Sequence, residues 1–382
     1  RDRERDLLRF YEVFFRKIFV EIRYTIMTLN NMYLLEHLLK VPSVSGFEDK
    51  AVKCYEDFMH EHGIDTFRDA LDNCYAIINP KAEFRLMLEA HIDEIGFQVT
   101  YIDDSGFVYI RQNGGIDRAC VPGSQVYIHT LNEELVLGII GKSPIHVLKP
   151  DERGKAPELE DLWIDTGLPV EIVKEKVSVG DFVSFAPNFK YIGDYGITSK
   201  GLDDKVGVYV VAEVMQRLSE KHLDIGVYGV VAVQEEVGCK GAKTCIANVN
   251  PNMSVSIDVG FATDVPNISK KKYGDIALGK GPVLNHHTDC NRGMVKLLKT
   301  VADENNIKIQ MAANPISTGG TDTASLQVSG KGVKTLLLSI PNRYMHTQVE
   351  MCDKRDLEET IQLLISWILE MDQRVKNNET IY

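Results

Sequence analysis

The spacing of apolar residues changes rhythm twice along the chain. Residues 48–62 repeat apolar positions every three to four residues and predict a helix, while 73–78 and 85–89 predict strands. From Gly96 to about Pro187 the pattern becomes brief alternating strands broken by Gly and Pro. Gly106-Phe-Val-Tyr-Ile-Arg, Gln125-Val-Tyr-Ile-His-Thr and Leu135-Val-Leu-Gly-Ile-Ile are examples. Such spacing predicts a small all-β domain, barrel-like or sandwich-like, with a polar loop over 149–160. After Ile197, helical patterns over 205–218, 291–306 and 354–375 alternate with strand patterns over 224–233, 253–257 and 335–339. That alternation implies a parallel or mixed sheet covered by helices. The expected fold is therefore α/β: a mixed sheet flanked by helices, with an inserted small all-β domain. The expected division is an N-terminal extension over 1–31, one domain made of 32–95 and 188–382, and an insertion over 96–187.

One apolar run ends in unusual company. Gly226-Val-Tyr-Gly-Val-Val-Ala-Val reads as a buried strand, and Gln234, Glu235, Glu236, Val237 and Gly238 follow it. Two carboxylates at the mouth of a core strand call for a cation, because an unpaired buried charge is expensive. The rest of the chain supplies groups that would share a metal with them. His91 and Asp93 follow the run that starts at Arg85; Asp203 and Asp204 precede the helix over 205–218. Asp258 closes the strand that starts at Met253, and His346 follows the strand over 335–339. Each therefore sits at or just past a strand end, or on a loop entering a helix, which is where open α/β sheets bind ligands.

Charge sharpens the expectation. Asp203, Glu236 and Asp258 as ligands, with His91 and His346 neutral, bring three negative charges. Two divalent ions and a bridging hydroxide then make the site neutral, and such a hydroxide is a strong nucleophile near pH 7. Histidine and carboxylate without thiolate suit zinc, cobalt or manganese rather than iron–sulfur chemistry. Cys239 lies close to the acidic pair and is not counted among the ligands.

From about Met32 to Val375 the chain resembles the glutamyl aminopeptidase and tetrahedral aminopeptidase family of di-metal peptidases, some members of which carry an endoglucanase or cellulase label. The likeness rests on Ser43-Val-Ser-Gly-Phe-Glu48, Ala90-His-Ile-Asp-Glu-Ile-Gly96, Lys200-Gly-Leu-Asp-Asp-Lys205, Gln234-Glu-Glu-Val-Gly238, Ile257-Asp-Val-Gly260, Gly319-Gly-Thr-Asp322 and Tyr344-Met-His-Thr347. Each is short; their order along most of the chain makes the signal specific. The resemblance implies a zinc-peptidase-like fold and two divalent ions per chain, zinc or cobalt. It implies that His91 and Asp258 hold one ion, that Glu236 and His346 hold the other, and that Asp203 bridges both. Glu235 is then the general base and Asp93 the group that orients His91. It further implies short peptide substrates cleaved at their N-terminal residue, dimer contacts through the insertion, and a homo-oligomer as large as a tetrahedral dodecamer. The segment Asn285-His-His-Thr-Asp-Cys-Asn291 does not follow the family pattern.

Composition narrows the remaining choices. A net charge of −12 argues against a nucleic-acid partner. The 7 cysteines contain no C-x-x-C pair, which points to free thiols in a reducing, cytoplasmic setting. Residues 1–27 are apolar but interrupted by Arg16, Lys17, Glu21 and Arg23, so no uninterrupted run suits a membrane span or a secretory signal. They read as an upstream extension of a chain whose family likeness begins at Met32. His60, His62, His129, His146, His286 and His287 read as surface or polar-loop histidines, and Gly319 to Asp322 as a helix-entry turn with an N-cap. Three other functions compete with this one. A di-metal deacylase or carboxypeptidase has its extra domain after the acidic pair, whereas here the long interval separates His91 from Asp203. An endoglucanase needs two carboxylates facing across a bond, not five metal-type ligands, and the chain holds only 2 Trp. A non-catalytic scaffold would have lost a ligand or the base, and none is missing.

Overall fold

The computed structural model describes residues 32–150, 153–313 and 320–379; the expectation for 1–31 lies outside the described residues. The first three strands are β1 (Asp65–Arg68), β2 (Cys74–Ile78) and β3 (Arg85–His91). Helices α1 (Tyr33–Lys40) and α2 (Asp49–Glu61) precede them. The insertion follows, with β4 (Gly96–Ile102), β5 (Val108–Asn113), β6 (Gln125–His129), β7 (Leu135–Gly141), β8 (Trp163–Asp165), α3 (Val170–Lys176) and β9 (Phe182–Phe185). After it come β10 (Lys190–Ile192), β11 (Gly196–Ser199), α4 (Leu202–Leu218), β12 (Gly226–Ala232), α5 (Ala242–Val249) and β13 (Met253–Phe261). The chain continues through α6 (Lys270–Tyr273), β14 (Val283–Asn285), α7 (Arg292–Glu304), β15 (Gln310–Ala312) and α8 (Asp322–Val328). It closes with β16 (Lys334–Asn342), β17 (Glu350–Asp353) and α9 (Lys354–Lys376).

The main sheet has eight strands in the order β1-β2-β12-β3-β13-β16-β14-β15. Its centre, β12-β3-β13-β16, is parallel, and β2 and β14 join it antiparallel. The run from Gly226 is continuously apolar because both faces of the sheet are covered. Val227 and Val231 point into the core shared with α1, α2, α4, α7 and α9, whereas Tyr228 and Val230 point into the core with α5 and α8. Period-two alternation thus survives, but both sides are buried. Each fully buried valine contributes about 1.5–3 kcal/mol relative to an exposed one. Gly229 is required by the packing: a Cβ there would lie 2.6 Å from Met215 Cγ and 2.9 Å from the Tyr55 hydroxyl.

The insertion is a closed six-stranded barrel in the order β4-β5-β8-β7-β6-β9. Pairing of β4 with both β5 and β9 closes it, which settles barrel over sandwich. Phe97, Val99, Ile110, Val126, Ile128, Ile140, Ile164 and Val183 fill its interior. His129 is a correction to the sequence reading: it is buried on the outer face of the barrel, bonded at 2.8 Å to Ser184 Oγ and packed against Phe47. A third sheet, β10-β11-β17, is small. Its pairing of Ser199 with Glu350 brings the start of β17 beside the entry to α4.

Candidate metal centre and active site

The parallel strands deliver their carboxyl ends to one pocket. His91 is the last residue of β3, and Ala232, which ends β12, lies beside it in register. Asp258 lies inside β13 rather than at its end, since the strand runs on to Phe261. His346 sits past β16 with φ +60, and Asp203 and Asp204 carry non-helical backbone where α4 begins. Glu235 and Glu236 are not on an extended strand. Gln234 has φ +59, and the amides of Gly238 and Cys239 bond the Glu235 carbonyl, so the pair occupies a turn. The turn, rather than strand alternation, separates the two side chains.

These groups converge closely. Asp203 Oδ1 lies 3.1 Å from His91 Nε2, and its Oδ2 lies 3.4 Å from His346 Nε2. Glu236 Oε2 is 3.5 Å from the same His346 nitrogen. Asp258 Oδ1 is 3.7 Å, and Glu235 Oε2 4.0 Å, from His91 Nε2. The pocket they line has a volume of about 450 Å³. Asp204 also reaches His91 and Asp258, although its Oδ1 accepts the Gly207 amide at 3.1 Å.

A shell of hydrogen bonds fixes the backbone beneath. Asp93 accepts the amides of Glu235 at 2.9 Å and Glu236 at 3.1 Å, and the Ser45 hydroxyl at 2.6 Å. Its backbone carbonyl lies 3.1 Å from His91 Nδ1. Glu48 accepts the Gln234 amide at 3.2 Å, so the segment 43–48 supports the acidic turn. Glu350, which sequence reasoning missed, accepts the amides of Asp203 at 2.9 Å and His346 at 3.0 Å. The barrel contributes too. A Cβ on Gly115, in the segment joining β5 to β6, would lie 2.9 Å from His346 Nδ1. The neighbouring Asp117 amide bonds the His346 carbonyl at 3.2 Å.

The electrostatics ask for positive charge. Among the described residues, Asp203, Glu235, Glu236 and Asp258 pair only with the two histidines, not with Lys or Arg. Burial, with neighbouring carboxylates adding to it, pushes the Glu235 carboxyl up to about 9 and Glu236 well above its usual range. Burial alone would lower His91, yet Asp203, Asp258 and Asp93 hold it strongly protonated. Protons are doing what cations do in such a site. The donor set of imidazoles and carboxylates, with one carboxylate facing both histidines, fits a pair of divalent ions.

The sequence comparison decides which family this arrangement belongs to. The profile of the M42 glutamyl aminopeptidase family matches residues 73–363. The chain belongs to that family. It is a metal-dependent aminopeptidase, and membership favours this reading over the deacylase-like and endoglucanase alternatives. The aminopeptidase is 31% identical over 335 residues to a lysyl aminopeptidase of Pyrococcus furiosus, covering 86% of this chain and 94% of the relative. Among solved structures, a TET aminopeptidase from a marine-sediment Thaumarchaeota archaeon superposes with a TM-score of 0.85 at 30% identity, covering 91% and 98% of the two chains. The TET1 peptidase of Pyrococcus horikoshii, described as assembling into a tetrahedron or a large octahedral shell, gives 0.78 at 30% identity over 87% and 97%. Among the described residues no helix of the aminopeptidase is long and apolar enough to cross a membrane.

His286 is exposed and His287 half-buried, and neither lines this pocket. Thr321 holds the N-cap position of α8 but makes no side-chain cap bond; Gly319 lies outside the described residues. Asp322, read as part of that turn, is instead buried near Glu235 and Cys239.

Proposed function

We propose that the pocket removes N-terminal residues from short peptides with two divalent ions, zinc or cobalt, held by His91, Asp203, Glu236, Asp258 and His346. The observation that carries this reading is Asp203, whose two oxygens divide between His91 and His346. One carboxylate so placed would be shared by two ions: His91 and Asp258 would hold one, Glu236 and His346 the other. When bound, such ions polarise a scissile carbonyl and lower the pKa of water. Glu235 accepts the proton of the attacking water and passes it to the leaving amine. Asp93 sets the orientation of His91 through its backbone carbonyl and pins both glutamate amides through its carboxylate, so a single residue aligns ligand and base.

The same reading assigns 32–95 and 188–382 to catalysis and the barrel, within 96–187, to dimer contacts. Support comes from an outward apolar row on β7, where Leu135, Leu137 and Ile139 are 60%, 50% and 51% exposed. A tetrahedral dodecamer of such dimers would admit peptides and exclude folded proteins. A fully active monomer at micromolar concentration in light scattering would overturn the assembly. Free cysteines throughout suit a cytoplasmic setting.

The deciding experiment is Glu235→Gln beside Glu236→Gln. With Glu235→Gln both ions stay bound and kcat falls by about 10²–10⁴-fold, with little change in substrate binding. Glu236→Gln lowers metal occupancy instead. If Glu235→Gln loses metal yet turns over at saturating metal, the two roles are exchanged.

A further inference from the structure

The two oxygens of Glu235 face different neighbours. Oε2 looks toward His91, whereas Oε1 lies 3.5 Å from Cys239 Sγ. Glu235, Cys239 and Asp322 each bring one donor atom within 4.8 Å of the others. Two elements create this cluster. The turn after β12 folds back on itself, with Cys239 at φ +51, and so aims the thiol at Glu235. The first turn of α8 supplies Asp322. Asp322 is 2% exposed; its carboxyl meets the Glu89 carboxyl and the Cys239 thiol, and among the described residues no amide, lysine or arginine bonds either of its oxygens. A buried carboxyl without such a partner is a strong demand for a cation, and here a thiol and a second carboxylate are within reach of the same point.

We propose that Glu235, Cys239 and Asp322 form a third, inhibitory site for a soft divalent cation, zinc foremost. A thiolate in the set favours zinc and cadmium over manganese and magnesium. Metal–ligand distances of roughly 2.0–2.3 Å are reached by small side-chain rotations, and the pocket that Cys239 and Glu235 line leaves a fourth position for water. Ion binding releases the thiol proton to solvent and takes the lone pair of Glu235. The base then cannot accept a proton from the attacking water, so excess zinc stops turnover without displacing the catalytic ions. The inhibition rests on Glu235 being the base; the site itself does not.

The test is zinc titration of the enzyme already carrying its two catalytic ions, with zinc per chain counted by equilibrium dialysis and elemental analysis. The parent is expected to take up a third zinc as its rate falls. Cys239→Ala and Cys239→Ser, each compared with its own rate before zinc is added, should stop at two ions and need at least about tenfold more zinc for half inhibition, the loss expected for one ligand. Cadmium should produce a thiolate charge-transfer absorbance in the parent and none in Cys239→Ala, and manganese should not inhibit. Retention of two ions in the variants shows that the fold survives. A third zinc bound equally by Cys239→Ala, or no third zinc in the parent, overturns the site. A third zinc that depends on Cys239 but leaves the rate untouched keeps the site and overturns the inhibition; Glu235→Gln that is still active would show the base assignment to be the cause.

Discussion

Asp93 and Glu94 are consecutive, and they belong to two buried acidic clusters neutralised by opposite means. Glu94 meets Lys200 Nζ at 2.6 and 2.7 Å and Lys205 Nζ at 3.1 Å, and accepts the Ser43 amide at 3.1 Å. Burial would raise its carboxyl, but the two ammonium groups overcome this and hold it at about 2. Asp93 faces the other way, toward Glu235, Glu236 and His91, where no lysine or arginine pairs with the carboxylates among the described residues. The chain carries its own cations for one cluster and none for the other among the described residues. A buried charge is tolerated only when paired, so the second cluster would be completed by the ions proposed above.

The comparison breaks most visibly at Asp203. Chelation and Asp203→Ala should each bring activity to background, with elemental analysis showing both ions gone and far-ultraviolet circular dichroism unchanged. Recovery of full activity in Asp203→Ala with a single tight ion would refute the bridge. His91→Ala should weaken mainly one ion. At the supports beneath the centre the effect shrinks: Glu350→Gln should cost about 10–100-fold in metal affinity or activity. Metal titration of the variant checks it, and unchanged affinity would make Glu350 purely structural.

The self-neutralised cluster should respond in stability rather than metal content. Glu94→Gln leaves two buried lysines without their carboxylate and should cost about 3–5 kcal/mol in denaturant unfolding, with both ions still bound at low denaturant. Acid should show the smallest effect. The folded value of Glu94, about 2, lies below its ordinary 4.5, so its stabilisation is fully present above about pH 4.5 and is lost as pH falls toward 2. Removing metal first should leave this acid limb in place, whereas Glu94→Gln should flatten it.

What could be read from the chain follows from where information is local. β12 and β3 were legible because burial on both faces leaves continuous apolar runs, and the strand ends then marked His91. Short edge strands were not: β10 is exposed at all three residues and β1 alternates only weakly. The Glu235–Glu236 pair was legible, but the turn that separates its side chains was not, since the positive φ of Gln234 leaves no hydrophobic signature. Glu350 was invisible because its work is to hold two backbone amides, one of them 147 residues away. Asp322 looked like a capping residue because its letter fits a helix entry, and only packing buries it. The lysines of Lys200-Gly-Leu-Asp-Asp-Lys205 gained a meaning only when Glu94 was found between them. His129 went wrong for the same reason: Phe47, far away in the sequence, packs over it on the outer face of the barrel, and no local pattern shows that.

The close approach of Gly115 to His346 makes the barrel something other than an accessory. Its β5–β6 segment forms part of the wall of the centre, and a side chain as small as alanine at Gly115 would meet the imidazole. A chimera that grafts another barrel onto this sheet must therefore carry a matching glycine at the seam, or it inherits a scaffold with a displaced histidine. The two halves of the molecule are separable on paper but share one margin, and any redesign of either has to respect it.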